Sequence, residues 1–421
     1  MLANLRLSFH YGLTIFLSAF LLFQVQPIIA KMILPWFGGS ASVWTACMLF
    51  FQMLLLLGYL YSHWVVRFLS PWNQSLLHIA FLLVSLLLLP LSPSGDWRPI
   101  GAEDPTWLIL ALLTGTIGLP YFVLSTTGPL IQAWFIRERP GTVPYRLFAL
   151  SNLGSLLALL AYPVFVEPQL PTLWQSYVWS ALFACFAVLC ALLAWGGRHS
   201  AIMRVAVPNA DYANHPNQAV PPVPGVKIRL EWVALAACPS ILLVADTSFL
   251  TENIAPIPLL WVVPLALYLL SFILCFERKG WYRRAIFLPL LFVGLGAMAY
   301  LPTLGMRALP VLLAMSINLA AFFVTCMVCH GELARLKPHP VYLTSYFLML
   351  ALGGALGGLF VGVVAPYCFS GNYELSIGLT LTAVVVAFVV LCRHVFVNHR
   401  RQMLGWAAAY DWVCSRGGSH R

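Results

Sequence analysis

A chain of 421 residues that is 61% hydrophobic and only 9% charged has too few polar side chains to cover the surface of a soluble domain. Its formal net charge of +10 sits in the short connections between apolar runs. That placement matches attraction to anionic lipid headgroups and gives no reason to invoke nucleic acid.

A helix crosses the hydrocarbon core with roughly 20 apolar residues. Such runs fall near 10–34, 43–66, 76–92, 106–134, 145–166, 174–196, 229–250, 257–276, 284–302, 308–330, 341–367 and 375–396. The expected fold class is therefore all-α, a polytopic integral membrane protein of about 12 transmembrane helices. The partners this implies are membrane lipids.

The first run follows Arg6 and could pass for a signal peptide, but no small-residue cleavage site follows it. Gln24, Gln26 and Lys31 interrupt it, so it reads as a retained helix. Gln24 and Lys31 are seven residues apart, about two turns along one face, and Pro27 removes a backbone donor between them. Two readings stay open: a ligand or ion contact in a central cavity, or a structural clamp with Lys31 snorkelling outward.

The second run starts at Trp44. Ser62-His-Trp-Val-Val-Arg-Phe-Leu-Ser-Pro-Trp-Asn-Gln74 reads as its loop to the third. The fourth run carries Tyr121, Ser125, Thr126 and Thr127, and the fifth carries Arg146 and Asn152-Leu-Gly-Ser-Leu-Leu-Ala. After the sixth run comes one long polar connection, 197–228, whose centre is rich in Pro and Asn and reads as a disordered linker. The seventh run holds Asp246, Thr247 and Glu252, the tenth Asn318 and His330, and the eleventh Leu352-Gly-Gly-Ala-Leu-Gly-Gly. The third, ninth and twelfth read as almost bare of polar groups.

The Lys/Arg bias of the short connections places both termini in the cytoplasm of a bacterial inner membrane. One set carries Arg67, Arg137, Arg139, Arg146, Arg198, Arg278, Lys279, Arg335 and Lys337 among others, and the opposite set offers only Arg98 and Arg307. The organisation is then 1–196 as a first six-helix half, 197–228 as a cytoplasmic linker, 229–396 as a second half and 397–421 as a cytoplasmic tail. The helices starting at Trp44 and Trp261 look alike, as do the small-residue runs of the fifth and eleventh, where small side chains let backbones approach. Duplication and chance similarity both remain open.

Six plus six around a cytoplasmic linker is the layout of the major facilitator architecture, in which crossings 1, 4, 7 and 10 line the cavity and 3, 6, 9 and 12 face lipid. The polar residues fall accordingly. The connection between the second and third crossings departs from the Gly- and Arg-rich loop of ordinary facilitators.

Four blocks resemble the membrane half of the bacterial fused spermidine synthase-like proteins. They are Phe23-Gln-Val-Gln-Pro-Ile-Ile-Ala-Lys-Met-Ile-Leu-Pro-Trp-Phe-Gly-Gly-Ser40 with Val43-Trp44, Tyr145-Arg-Leu-Phe-Ala-Leu-Ser-Asn-Leu-Gly-Ser-Leu156, Thr251-Glu-Asn-Ile-Ala-Pro-Ile-Pro-Leu-Leu-Trp-Val-Val-Pro264 and Cys329-His-Gly-Glu-Leu-Ala-Arg-Leu-Lys-Pro338. The resemblance spans about residues 10–395. The fused proteins continue into an aminopropyltransferase-like domain, which needs a Gly-rich loop and acidic residues. The stretch after the twelfth run holds neither, so the expectation is the membrane module without catalysis and without a cofactor.

Cys326-Met-Val-Cys329-His330 matches the c-type haem attachment pattern. The charge rule puts it at the cytoplasmic end, whereas that haem is attached on the other side, and no second Cys/His pair has metal-ligand spacing. Glu332, Arg335 and Lys337 read with His330 as a solvated loop. Buried charges in membranes are usually paired, so Lys31 is expected to approach Asp246 or Glu252.

The cavity candidates are thus Gln24, Gln26, Lys31, Ser125, Thr126, Asp246, Glu252 and Asn318. The leading expectation is a facilitator-like protein that binds or moves a small polar solute. The rival is a non-catalytic accessory or scaffold subunit docked on other membrane-protein subunits.

Overall fold

The computed structural model describes residues 2–38, 41–99, 105–139, 145–198, 222–253, 261–278, 280–304, 310–369, 371 and 373–391. The centre of the expected linker, the tail 397–421 and the first residues of the eighth crossing lie outside the described residues, as does the side chain of Glu252.

Among the described residues, ten helices are long and apolar enough to cross a membrane, and two shorter apolar ones stand beside them. In chain order they are α1 (Leu2–Phe37), α2 (Ala41–Phe68) and α3 (Pro71–Leu87), then α4, built from Pro105–Leu113, Thr114–Gly118 and Leu119–Glu138. Next come α5, from Tyr145–Ala161, Tyr162–Val166 and Glu167–Gln169, and α6 (Thr172–Gly197). The second half comprises α7 (Val226–Asn253), α8 (Val262–Glu277), α9 (Arg284–Leu304) and α10 (Val311–Arg335). It ends with α11, from Leu343–Leu359, Phe360–Val364 and Ala365–Cys368, and α12 (Glu374–Leu391). The described structure is that of a multi-pass, all-α membrane protein.

The middle pieces of α4, α5 and α11 are widened π-type turns. Each ends two residues before a proline: Pro120, Pro168 and Pro366. A proline cannot donate to the carbonyl one turn back, and a widened turn re-routes the ladder around that gap. The sequence thus crosses the membrane on three proline-bearing helices without breaking them.

The third helix starts earlier than its apolar run. Ser70 caps it by accepting the Asn73 N–H, Pro71 takes the first helical position, and α2 continues to Phe68. The expected loop from Ser62 to Gln74 is therefore helical apart from Leu69 and Ser70. Nor is α3 bare of polar groups: Gln74, Ser75, His78 and Ser85 are buried on it. Ser75 donates to the Ala194 carbonyl of α6, and Gln74 Oε1 accepts from Trp134 and Arg137 of α4.

Each half has its own apolar core. In the first, Tyr11, Ile15, Leu124, Trp179 and Phe183 belong to one cluster, and in the second Leu242, Leu291, Met298 and Phe322 to another. The half-cores are built alike, with α5 lying along α1 and α11 along α7. A Cβ on Gly154 would run into the Phe16 carbonyl, and one on Gly353 into the Val233 carbonyl. The two small-residue runs therefore do the same work in the two halves, letting backbones touch.

Where helices look outward, the surface is apolar. Leu83 and Leu87 on α3, Val188 and Leu192 on α6, Phe292 and Val293 on α9, and Val384 and Leu391 on α12 are exposed, as a lipid-facing surface requires. Against them, 67% of the spanning windows of α1 and α7 is buried, compared with 22% of that of α9. The first helix of each half is central.

The halves meet where α2 lies on α11 and α5 on α8. At the basic ends of these helices an aromatic cluster closes the seam. Phe148 of α5 lies 4.8 Å from the rings of Phe276 and Phe347 and 5.6 Å from Phe272. Tyr145 Oη donates to the Pro338 carbonyl at 2.7 Å, and Lys337 sits 4.1 Å from the Phe276 ring. His63 of α2 and Thr344 of α11 share a hydrogen bond of 3.0 Å.

Candidate functional site

α1 runs unbroken through Pro27 and Pro35, and its polar residues part company. Gln26 donates to Tyr121 Oη on α4 at 3.2 Å and so ties the two helices. Gln24 is buried, and its Oε1 has no hydrogen-bond partner among the described residues. Tyr162 of α5 donates to the Pro27 carbonyl at 3.4 Å.

Lys31 does not meet Asp246. Its Nζ lies 2.9 Å from Glu167 Oε1, with both side chains about one third exposed, at 37% and 31%. The widened turn of α5 carries Glu167 to the end of the bundle toward which α1 is heading, where the long Lys31 side chain reaches it. The expected contact of Lys31 with Asp246 is thus replaced by one within the first half, and the alternative with Glu252 lies outside the described residues. Position along the sequence gives a depth along each helix but no rotation about its axis, and rotation decides which carboxylate a lysine sees.

Ser125 and Thr126 also turn out to serve packing. Ser125 Oγ donates to the Phe122 carbonyl of its own helix at 2.7 Å and reaches the Leu54 carbonyl of α2 at 3.3 Å. Thr126 Oγ1 donates to the Val123 carbonyl, while its own carbonyl accepts from Ser62 of α2. These hydroxyls are consumed by backbone and by the α2–α4 contact.

In the second half, Asp246 and Glu332 lie inside. Asp246 on α7 is 0% exposed. The Asn318 amide of α10 donates to Oδ1, and Oδ2 has no partner among the described residues. Structure thus joins two residues that the sequence placed separately. An unpaired ionised carboxylate in an apolar interior costs tens of kcal/mol in the idealised limit, while an unsatisfied neutral polar group costs roughly 2–7 kcal/mol. A group held as Asp246 is held must have its charge balanced.

Glu332, at the basic end of α10, is as deeply buried but fully engaged. Arg284 Nε lies 2.7 Å from Oε1 and its terminal nitrogen reaches Oε2, while Tyr282 Oη donates to Oε1 at 2.8 Å and Arg335 stands 3.9 Å from Oε2. Burial, and then the Glu332 carboxylate, hold the Tyr282 phenol protonated far above its ordinary range. His330 is equally enclosed: Nδ1 lies 2.7 Å from Ser271 Oγ, and the ring stacks on Phe272 at 3.6 Å with Tyr268 edge-on. The Cys-His-Gly-Glu block is therefore not a solvated loop. It is a buried clasp joining α10 to α8 and to the α8–α9 connection. Cys326 and Cys329 are buried on that same helix.

Sequence reading missed this clasp and the Gln74–Trp134–Arg137 node. A signal was present in both cases, since each couples an acid or amide with an arginine near the end of a run, but cross-helix partners are not adjacent in sequence.

No protein-family model matches the sequence, and no curated protein does. Solved structures do. The inward-open xylose transporter XylE from E. coli superposes with a TM-score of 0.53 at 14% identity, over 90% of this chain and 95% of that one. The proton:xylose symporter XylE bound to 6-bromo-6-deoxy-D-glucose gives 0.55 at 15% identity, over 90% and 94%. A bacterial homologue of the iron transporter ferroportin, in its outward-facing state, gives 0.55 at 14% identity, over 92% and 98%. The fold is the major facilitator fold. At these identities the likeness is one of architecture, and it extends over nearly the whole of each chain.

Proposed function

We propose that this chain is a facilitator-like protein of a bacterial inner membrane that binds and moves a small polar solute through a cavity between its halves. Both termini would lie in the cytoplasm, on the face where the connections carry their arginines and lysines. The reading is of a carrier and not of an enzyme. The resemblance to the membrane half of fused spermidine synthase-like proteins fits a membrane module acting without aminopropyl transfer.

One observation carries the reading. The first helix of each half, the most enclosed in the fold, holds a buried polar atom that packing does not use: Gln24 Oε1 on α1 and Asp246 Oδ2 on α7. Uncompensated polar groups at membrane depth are costly and mark solute or ion pathways. Ser125 and Thr126, by contrast, donate their hydroxyl protons to helix carbonyls. The seam at the basic face is closed by the Phe148 cluster, so the path would open toward the opposite face in this conformation.

The test is purification in mild detergent followed by native mass spectrometry. A single chain that retains a defined small molecule, lost in Gln24→Leu, is the expected result. A chain that always arrives with a stoichiometric second protein and no small molecule would overturn the reading.

A further inference from the structure

Among the described residues, Asp246 has no cation beside it. Lys31, which the sequence offered it, is engaged by Glu167, and the amide of Asn318 is neutral. The apolar core of this half holds Leu242, Leu243 and Val244 on α7, Met298 on α9, Phe322 and Cys326 on α10, and Val361 on α11. Among the described residues, the Cys326 thiol lies within electrostatic reach of Asp246, and α8 places Cys275 and Tyr268 around that thiol. α12 contributes Leu375, Leu379 and Val386 to the same core. None of these groups carries a positive charge.

A metal ion would need several oxygen ligands around it, and among the described residues no group of His, Cys, Asp and Glu is arranged to hold one. An organic cation would need space beside a carboxyl that is wholly enclosed. A proton needs neither.

We propose that Asp246 is an intramembrane proton site. Oδ2 takes up H⁺ to form the neutral acid while Asn318 keeps its hydrogen bond to Oδ1. The proton leaves for water when α7 and α10 part far enough for the carboxylate to be solvated. Uptake therefore favours the packed arrangement and release the opened one. Taken with the transport reading, on which this purpose rests, the proton is the ion coupled to movement of the solute.

Infrared spectroscopy of the purified chain in lipid, stepped in pH, tests the site without any solute. Wild type should show the C=O stretch of a protonated carboxyl. The band should be lost in Asp246→Asn, moved in Asp246→Glu, which keeps the acid should the amide variant misfold, and moved in Asn318→Ala. A band unchanged in both Asp246 variants, no such band at any pH at which the helices stay folded, or a band that vanishes on adding sodium at fixed pH would each overturn the proposal. Because the signal needs no solute, its absence sinks the proton site and leaves transport to the solute-retention test. Failure of solute retention, conversely, leaves the band in place.

Discussion

Asp246 and Glu332 are two carboxyl groups in the same half of one bundle, both almost without solvent exposure, and they are held in opposite ways. Glu332 has an arginine on both oxygens and a tyrosine besides, while Asp246 has one neutral amide. Desolvation is severe for both, so the difference lies in what offsets it. A carboxylate tied to Arg284 is committed: it fixes the α8–α9 connection against the end of α10 and cannot change charge without releasing a partly buried cation. A carboxyl facing an amide alone is free to gain or lose a proton, so burial by itself does not mark a functional acid. Burial without a counter-charge does.

The strongest way to break this comparison is at Glu332. Removing one partner of a buried ion pair costs about 3–5 kcal/mol, because the other is left uncompensated. Glu332→Ala should therefore lower the unfolding temperature in detergent more than any substitution at Gly353, Asp246 or Lys31 described below. If Glu332→Ala and Asp246→Asn prove equally harmful, the distinction between the two carboxyls fails.

Next in size is the close approach of α11 to α7. Gly353→Val puts branched carbons where the Val233 carbonyl stands, and overpacking of this kind costs about 1–3 kcal/mol. Its counterpart on the α1–α5 contact, Gly154→Val, should behave alike in the same thermal assay. Similar losses in the two variants would show that the halves are mechanically equivalent.

Asp246→Asn should change stability by about 1 kcal/mol or less, since a carboxamide can still meet Asn318 and strands no cation. Its effect belongs to function and should appear as loss of pH dependence in solute retention. The smallest effect is expected at the partly exposed Lys31–Glu167 pair. Lys31→Ala should cost about 0.5 kcal/mol, and double-mutant analysis with Glu167→Ala should recover a coupling of that order.

How much of this could be read from the chain depends on the element. Hydropathy is a property of short windows, so the runs on α1, α2 and α10 located their helices well. The start of α3 was misplaced because Pro71-Trp-Asn-Gln is polar, although Ser70 and Pro71 are a strong helix-start pair. The charge bias of the connections identified one basic face, and the small residues at Gly154 and Gly353 marked real backbone contacts. The polar character of Ser125 and Thr126 is legible in the sequence, but not that each hydroxyl donates to its own helix backbone.

Sequence by itself determined the class of the protein, the series of membrane crossings, the face that carries the basic connections and the helices that bear polar groups. Each of these follows from local composition in an apolar solvent. Only the tertiary structure decided that Lys31 belongs to Glu167, that Asn318 belongs to Asp246 and that Glu332 is clasped by Arg284. The reason is rotational. A helix that is apolar on every side carries no stripe to show which way it faces, so the partner of a buried polar group is chosen by how the helices turn toward one another.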